Sequence, residues 1–213
     1  MTSGSQPPPR PGVAPRQENL ATAINRGFDV LVDQSDEQIR WLGAEPRSGR
    51  WRLPGLNDAF AIDVSQRRIV TSAGRPVGPQ WTILAIHYLA VGSRPERRDP
   101  EITFADLATA RSYAGVYNAR TVVRLCHTAG RDAESLVAAA ARSGGRPTTG
   151  GDEAFDFDLF PQITIRLIWH APDPEFGASA TLLLPSNIES YLCAEDTVVL
   201  SESLVARLGG RPF

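Results

Sequence analysis

Residues 152–176 read DEAFDFDLFPQITIRLIWHAPDPEF, and their alternation sets the architecture. Phe155, Phe157 and Leu159 take every second position, and so do Ile163, Ile165, Leu167 and Trp169. Successive side chains of a strand point to opposite faces, so each run lines one side. A hairpin must bring both apolar sets to the same side. A two-residue turn at Pro161-Gln162 sets Leu159 opposite Thr164 and puts the faces in conflict. A three-residue loop, Phe160-Pro161-Gln162, sets Leu159 opposite Ile163, Phe157 opposite Ile165 and Phe155 opposite Leu167. The same register brings Asp156 opposite Arg166 and Asp158 opposite Thr164 on the other face. The expectation is therefore a three-residue loop and an Asp156–Arg166 cross-strand pair.

Working outward, Ser179 to Leu184, stopped by Pro185, adds a strand to the same sheet. Phe60, Ile62 and Val64 alternate with smaller or polar residues as a half-buried strand. A turn at Ser65-Gln66-Arg67 leads from it to a partner, Arg68 to Thr71. Leu20, Ile24, Phe28 and Leu31 form a helical stripe. Ser35 with Gln38 makes a capping box for a short helix carrying Ile39, Trp41 and Leu42, ended by Gly43. Gly78-Pro79 opens a helix, WTILAIHYLAV over 81–91, apolar nearly all round and so expected to be central and buried. Further helices span about 112–129 and 132–143, the latter capped by Asp132. A last helix runs over 195–208, with Leu200, Leu204 and Leu208 four apart. Residues 44–57 and 92–101 read as loops, and Gly144-Gly145 with Gly150-Gly151 bracket a flexible link. The fold class is α+β: a single domain, 17–213, with a mostly antiparallel sheet and helices packed on one face. Residues 1–16, with five prolines among Ser and Gly, read as a disordered tail.

The chain has 213 residues, enough for one domain with a substantial core. All 22 basic residues are Arg, because Lys is absent. No Lys means no Schiff base, no pyridoxal-phosphate anchor and no Walker-type phosphate loop. This usage fits a GC-rich genome. A net charge of -2 argues against a general nucleic-acid binder. No apolar run is long enough for a membrane span, and the first residues lack the apolar core of a secretory signal. A cytoplasmic, bacterial-type location is expected. Cys126 and Cys193 are too few for a four-thiolate cluster; free thiols and a single bridge are both open.

The run 160–200 resembles a prokaryotic family of domains of unknown function. The likeness rests on Phe160-Pro161, Arg166, the acidic element Asp173 to Phe176, Ser179-Ala180, and Tyr191 to Asp196, together with the helix ILAIHYLAVG. It covers about residues 20–208. Pro174 and Pro185 depart from the family's pattern at positions where it carries acidic residues. The resemblance implies a link to one-carbon or corrinoid metabolism, and some members of that family carry a separate cysteine-rich iron–sulfur domain. With two cysteines, the present sequence does not include one.

Several residues can carry chemistry. His170, Asp173 and Glu175 follow a core strand and could surround a divalent cation, or form an acidic loop that caps the sheet edge. Arg120, Arg124, His127 and Arg131 share a helix face and could hold an anion. They could equally be a solvated face opposite Ala119, Val122, Val123 and Cys126. Arg166, Trp169, Asp173 and Glu175 are candidates to line a pocket. Glu195 and Asp196 read as helix-start carboxylates, His87 as a hydrogen-bonded core histidine, and the two cysteines as small core residues. No Gly-x-Ser-x-Gly elbow is present. The expectation is a non-catalytic binding or accessory module for a small anionic ligand or protein partner, with no cofactor. The alternatives are an enzyme with a carboxylate–His site in the 170–176 loop, and an oligomerisation module using an open sheet edge.

Overall fold

A computed structural model describes residues 17–108 and 110–213, with backbone alone over 17–19; the tail expected over 1–16 lies outside the described residues. The first half holds α1 (Gln17–Val32), α2 (Asp36–Trp41), β1 (Glu45–Arg47), β2 (Arg50–Gly55), β3 (Asp58–Asp63), β4 (Arg68–Thr71) and α3 (Pro79–Leu89). The second half holds β5 (Pro100–Ile102), α4 (Ala114–Asn118), α5 (Arg124–Cys126), α6 (Ala133–Arg142), β6 (Arg146–Pro147), β7 (Glu153–Phe160), β8 (Ile163–His170), β9 (Ser179–Pro185) and α7 (Ala194–Leu208). The class is α+β. The strands form two antiparallel sheets, in the orders β1-β2-β3-β4 and β5-β9-β8-β7-β6.

The β1–β4 sheet follows from residues 44–57 not being a loop. Ser48 and Gly49 both have positive φ, 50° and 75°, the two-residue turn whose twist suits a hairpin. Leu53 then turns into the core while Pro54 sits beyond the reach of β1, where its missing N–H breaks no ladder bond. Leu56 turns the chain from β2 to β3 at φ 53°, a strained setting for a leucine. It is held there by its N–H, which donates to the Asp158 carbonyl at 2.7 Å and ties the two sheets together.

The β7–β8 register holds: Phe155↔Leu167, Asp156↔Arg166, Phe157↔Ile165 and Asp158↔Thr164. The loop differs. Phe160, not Leu159, pairs with Ile163, leaving a two-residue turn at Pro161-Gln162 and a register shift between Asp158 and Phe160. A bulge places one extra residue on a strand. It removes the face conflict that a plain two-residue turn would bring, and it lets both Leu159 and Phe160 be buried. The turn itself rests on the end of α2. A Cβ on Gly43, whose φ is 87°, would overlap Pro161. Tyr88 Oη donates to the Leu42 carbonyl at 2.6 Å and accepts from Gln162 N at 3.2 Å.

The core lies on the inner face of β7–β8–β9, with α6 on β7 and α5 on β9, and α7 against α3, α5 and α6. Tyr88 of α3 stacks on Phe160 at 4.6 Å, and Phe60, Trp81 and Phe213 join them in one aromatic cluster spanning both sheets. So α3 is central, but it is not apolar-packed all round. Trp81, Leu84, Ala85, Ile86, Tyr88 and Leu89 are buried, whereas Thr82, Ile83 and His87 are half-exposed.

Smaller corrections have local causes. Ser35 caps α2 through Gln38 N at 3.2 Å, but the Gln38 amide does not return to close a box. It donates instead to the carbonyls of Val91 and Ser93, pinning the end of α3 to α2. The 144–151 link is a packed turn containing β6, and a Cβ on Gly145 would strike the Phe157 ring. Within 92–101, Pro100 enters β5 beside β9. No described helix is long and apolar enough to cross a membrane.

Candidate functional site

Strand alternation separates the pair expected to line a pocket. Trp169 faces inward, 1% exposed, with Nε1 donating to the Gly130 carbonyl at 2.7 Å. Arg166, three residues earlier, faces outward and forks onto Asp156 at 2.7 and 3.0 Å. The two lie on opposite faces of one sheet, so no pocket joins them. Beside them Asp158 is a shared acceptor for Arg146, for Arg97 at 3.4 Å, and for Thr164 at 2.6 Å. Burial pushes the Asp158 carboxyl up, but these partners outweigh it and hold it below the ordinary carboxylate value. The outer face is a closed ion-pair network.

The 170–176 loop is likewise spent on itself. Asp173 Oδ1 accepts from Glu175 N at 2.8 Å and Phe176 N at 2.7 Å, a local side-chain-to-backbone turn. His170 stands 3.9 Å from Asp152 instead, and Glu175 is exposed. Among the described residues no group of three or more His, Cys, Asp or Glu is placed to hold a metal ion.

The Arg120 face is also engaged. Between α4 and α5, Ala119–Val123 form a π turn, which widens the helix and shifts its buried stripe. Tyr117, Thr121 and Leu125 are buried, while Ala119 and Val123, expected inside, are exposed. Arg120 reaches Tyr113 Oη at 2.9 Å and Glu202 of α7 at 3.1 Å. Burial pushes the Glu202 carboxyl up, against the pull of Arg120 and Arg124. Arg131 pairs with Asp132 at 3.0 Å, and His127 is exposed.

The arrangement that sequence reasoning missed joins three residues read there as structural. His87 Nδ1 lies 2.8 Å from Asp196 Oδ2, across 109 positions of sequence. The Cys193 thiol meets the same oxygen at 3.4 Å, and its sulfur caps α7 by accepting from Asp196 N at 3.5 Å. Thus sulfur, not a carboxylate, caps α7, and Asp196 is turned to the histidine. Cys126 and Cys193 are free thiols, half-exposed and exposed, not core residues. Desolvation of the Cys193 sulfur against the helix start pushes its thiol up, so it stays protonated and donates. The hydrogen bond that His87 Nδ1 donates to Asp196 raises His87 above its ordinary value, with burial opposing.

His87 opens on a groove of about 570 Å³ between α1 and α3, lined by Thr22, Ala23, Arg26, Gly27, Val30, His87 and Ala90. A Cβ on Gly27 would overlap Ile86 Cγ2, so glycine is what lets the two helices approach. His87 Cδ2 would stand 3.8 Å from that Cβ, which puts the ring edge remote from Asp196 toward α1. The only sequence signal for this site was a histidine inside an apolar helix; its partner is set by chain topology.

A family model described as a domain of unknown function (DUF3786) matches residues 36–207. The chain belongs to the DUF3786 family. No curated protein and no solved structure matches it. The DUF3786 span contains His87, Cys193 and Asp196. Arg26, Thr22 and Gly27 of α1 precede it, so one wall of the groove lies inside the family match and the other outside.

Proposed function

We propose that this DUF3786 chain is a binding or accessory module of the cytosol. Its groove between α1 and α3 takes an anionic group, carried by a small ligand or by an acidic segment of a partner protein. One observation carries the reading: Arg26 and the free edge of the His87 ring line the same groove. By contrast, Arg166, Arg120 and Arg146 are each committed to a carboxylate of the chain. Guanidinium and imidazolium groups are strong, directional anion donors. Two free thiols fit a reducing compartment.

Thermal unfolding in the presence of phosphate and citrate tests the reading. A ligand that binds only the folded state raises the midpoint with occupancy. The midpoint should rise for the parent chain and stay put for Arg26→Ala; an equal rise in both would end the proposal.

The Asp196–His87 pair favours one second reading. A carboxylate that fixes one imidazole nitrogen and leaves the other open is also the arrangement of a general base. Turnover of an anionic ester, abolished in His87→Gln, would support an enzyme at this groove rather than in the 170–176 loop.

A further inference from the structure

Resting on the anion-groove reading, we infer that the group bound between α1 and α3 is a phosphoryl dianion, as a monoester or as free phosphate. Two donors of different reach converge there. Arg26 comes from α1, and His87 stands across from it on α3. A carboxylate presents two oxygens, which a single guanidinium fork already satisfies. A phosphoryl group presents three terminal oxygens, enough to use the guanidinium and the ring together.

The ring is set up for this task. Asp196 takes Nδ1, so Nε2 is the nitrogen left for a ligand, and no partner for it occurs among the described residues. Nε2 donates only when the ring is charged. The groups around it favour that state. Asp196 and exposed Glu195 come from the first turn of α7, and the neutral Cys193 thiol lies beside them. Arg26 is the opposing charge on α1, and α3 brings no other. Close approach of the helices at Gly27 keeps both cations within one ligand's reach.

Binding should therefore need two conditions at once. The phosphoryl group must have lost its second proton, near pH 6 for a monoester and somewhat higher for free phosphate, and His87 must hold its own. Calorimetric titration of the full chain with inorganic phosphate, phenyl phosphate and acetate, at about pH 5, 6.8 and 8.5, reads this out. Both phosphates should bind best at the middle pH, and acetate about tenfold more weakly there. His87→Gln should weaken phosphate about tenfold at the middle pH and erase the fall toward alkaline pH, with Cys126→Ser unchanged. Asp196→Asn should move that alkaline fall to lower pH. The chain holds three histidines, so ring-proton resonances provide an independent check: phosphate should raise the titration of His87 and leave His127 and His170 alone. Tighter binding of phenyl phosphate would identify an ester as the ligand; tighter binding of inorganic phosphate, the free ion. Acetate binding as tightly as phosphate, or a profile unchanged by His87→Gln, would overturn the phosphoryl assignment and leave the anion groove standing. Failure of all three anions to bind would remove both.

Discussion

The outer face of β7–β8 and the groove between α1 and α3 hold the same kinds of side chain and use them in opposite ways. On the sheet, Asp156 and Asp158 meet Arg166, Arg146 and Arg97 directly. Cross-strand neighbours sit a few ångströms apart, so Asp156 and Asp158 find Arg166 and Arg146 within the sheet, and Arg97 reaches Asp158 from the segment before β5. In the groove, one carboxylate stands behind the histidine rather than in front of it. The cations there keep a side toward solvent. Where a charge sits relative to its counter-charge, more than how many charges there are, separates a stabilising network from a candidate binding site.

The comparison can be broken most forcefully from beneath the sheet. Phe157 is fully buried directly under the ion pairs. Phe157→Ala should cost about 3–5 kcal/mol in urea unfolding, while anion binding at the groove persists below the transition. If binding vanished with the protein still folded, the two regions would be one functional unit.

Gly27→Ala comes next, at about 1–3 kcal/mol of overpacking, because the new methyl meets Ile86. It should also spread α1 from α3 and weaken binding, which a mutation in the sheet does not do. Calorimetry and unfolding on the same variant check both effects.

Asp158→Asn should cost about 1 kcal/mol, discounted for its solvent exposure. The folded chain holds Asp158 below its ordinary 3.8. Its contribution is thus present above the ordinary value and lost as pH falls through the folded value. His87 has the reverse sign. Its folded value lies above the ordinary 6.5, so its contribution is full below about 6.5 and lost as pH rises through the folded value. Unfolding free energies across the pH range should show an acid limb reduced by Asp158→Asn and a separate neutral-to-alkaline limb reduced by Asp196→Asn. A single limb common to both variants would contradict the assignment.

Arg166→Ala should do least, ~0–1 kcal/mol, because the Asp156 pair is partly exposed. A double-mutant cycle with Asp156→Ala isolates the pair, and a coupling well above that range would give the outer face a larger structural role than its exposure implies.

Much of the fold was legible because its signals are local. Period-two alternation in 155–169 carried the β7–β8 register, and Ser35 and Asp132 were readable as helix caps. Other signals were local but overridden. Ser48-Gly49 is a turn dipeptide, yet a stretch rich in Pro and Gly reads as loop until β3 is there to pair with it. The candidate pocket failed on a rule already in hand, since positions 166 and 169 differ by an odd number and cannot share a strand face. The π turn at 119–123 moved the buried stripe of its helix by a step that an ideal 3.6-residue period does not contain.

Composition and periodicity were thus enough to settle an antiparallel α+β domain and the pairing of its main hairpin from Phe155 to Asp158, but not the turn that joins its strands. Those properties depend on residues within a few positions of one another. Three-dimensional packing alone decided that there are two sheets, that Cys193 caps a helix, and that His87 faces Asp196 beside Arg26. These contacts join segments far apart in the chain, and nothing in either segment encodes its distance from the other until the core between them has closed.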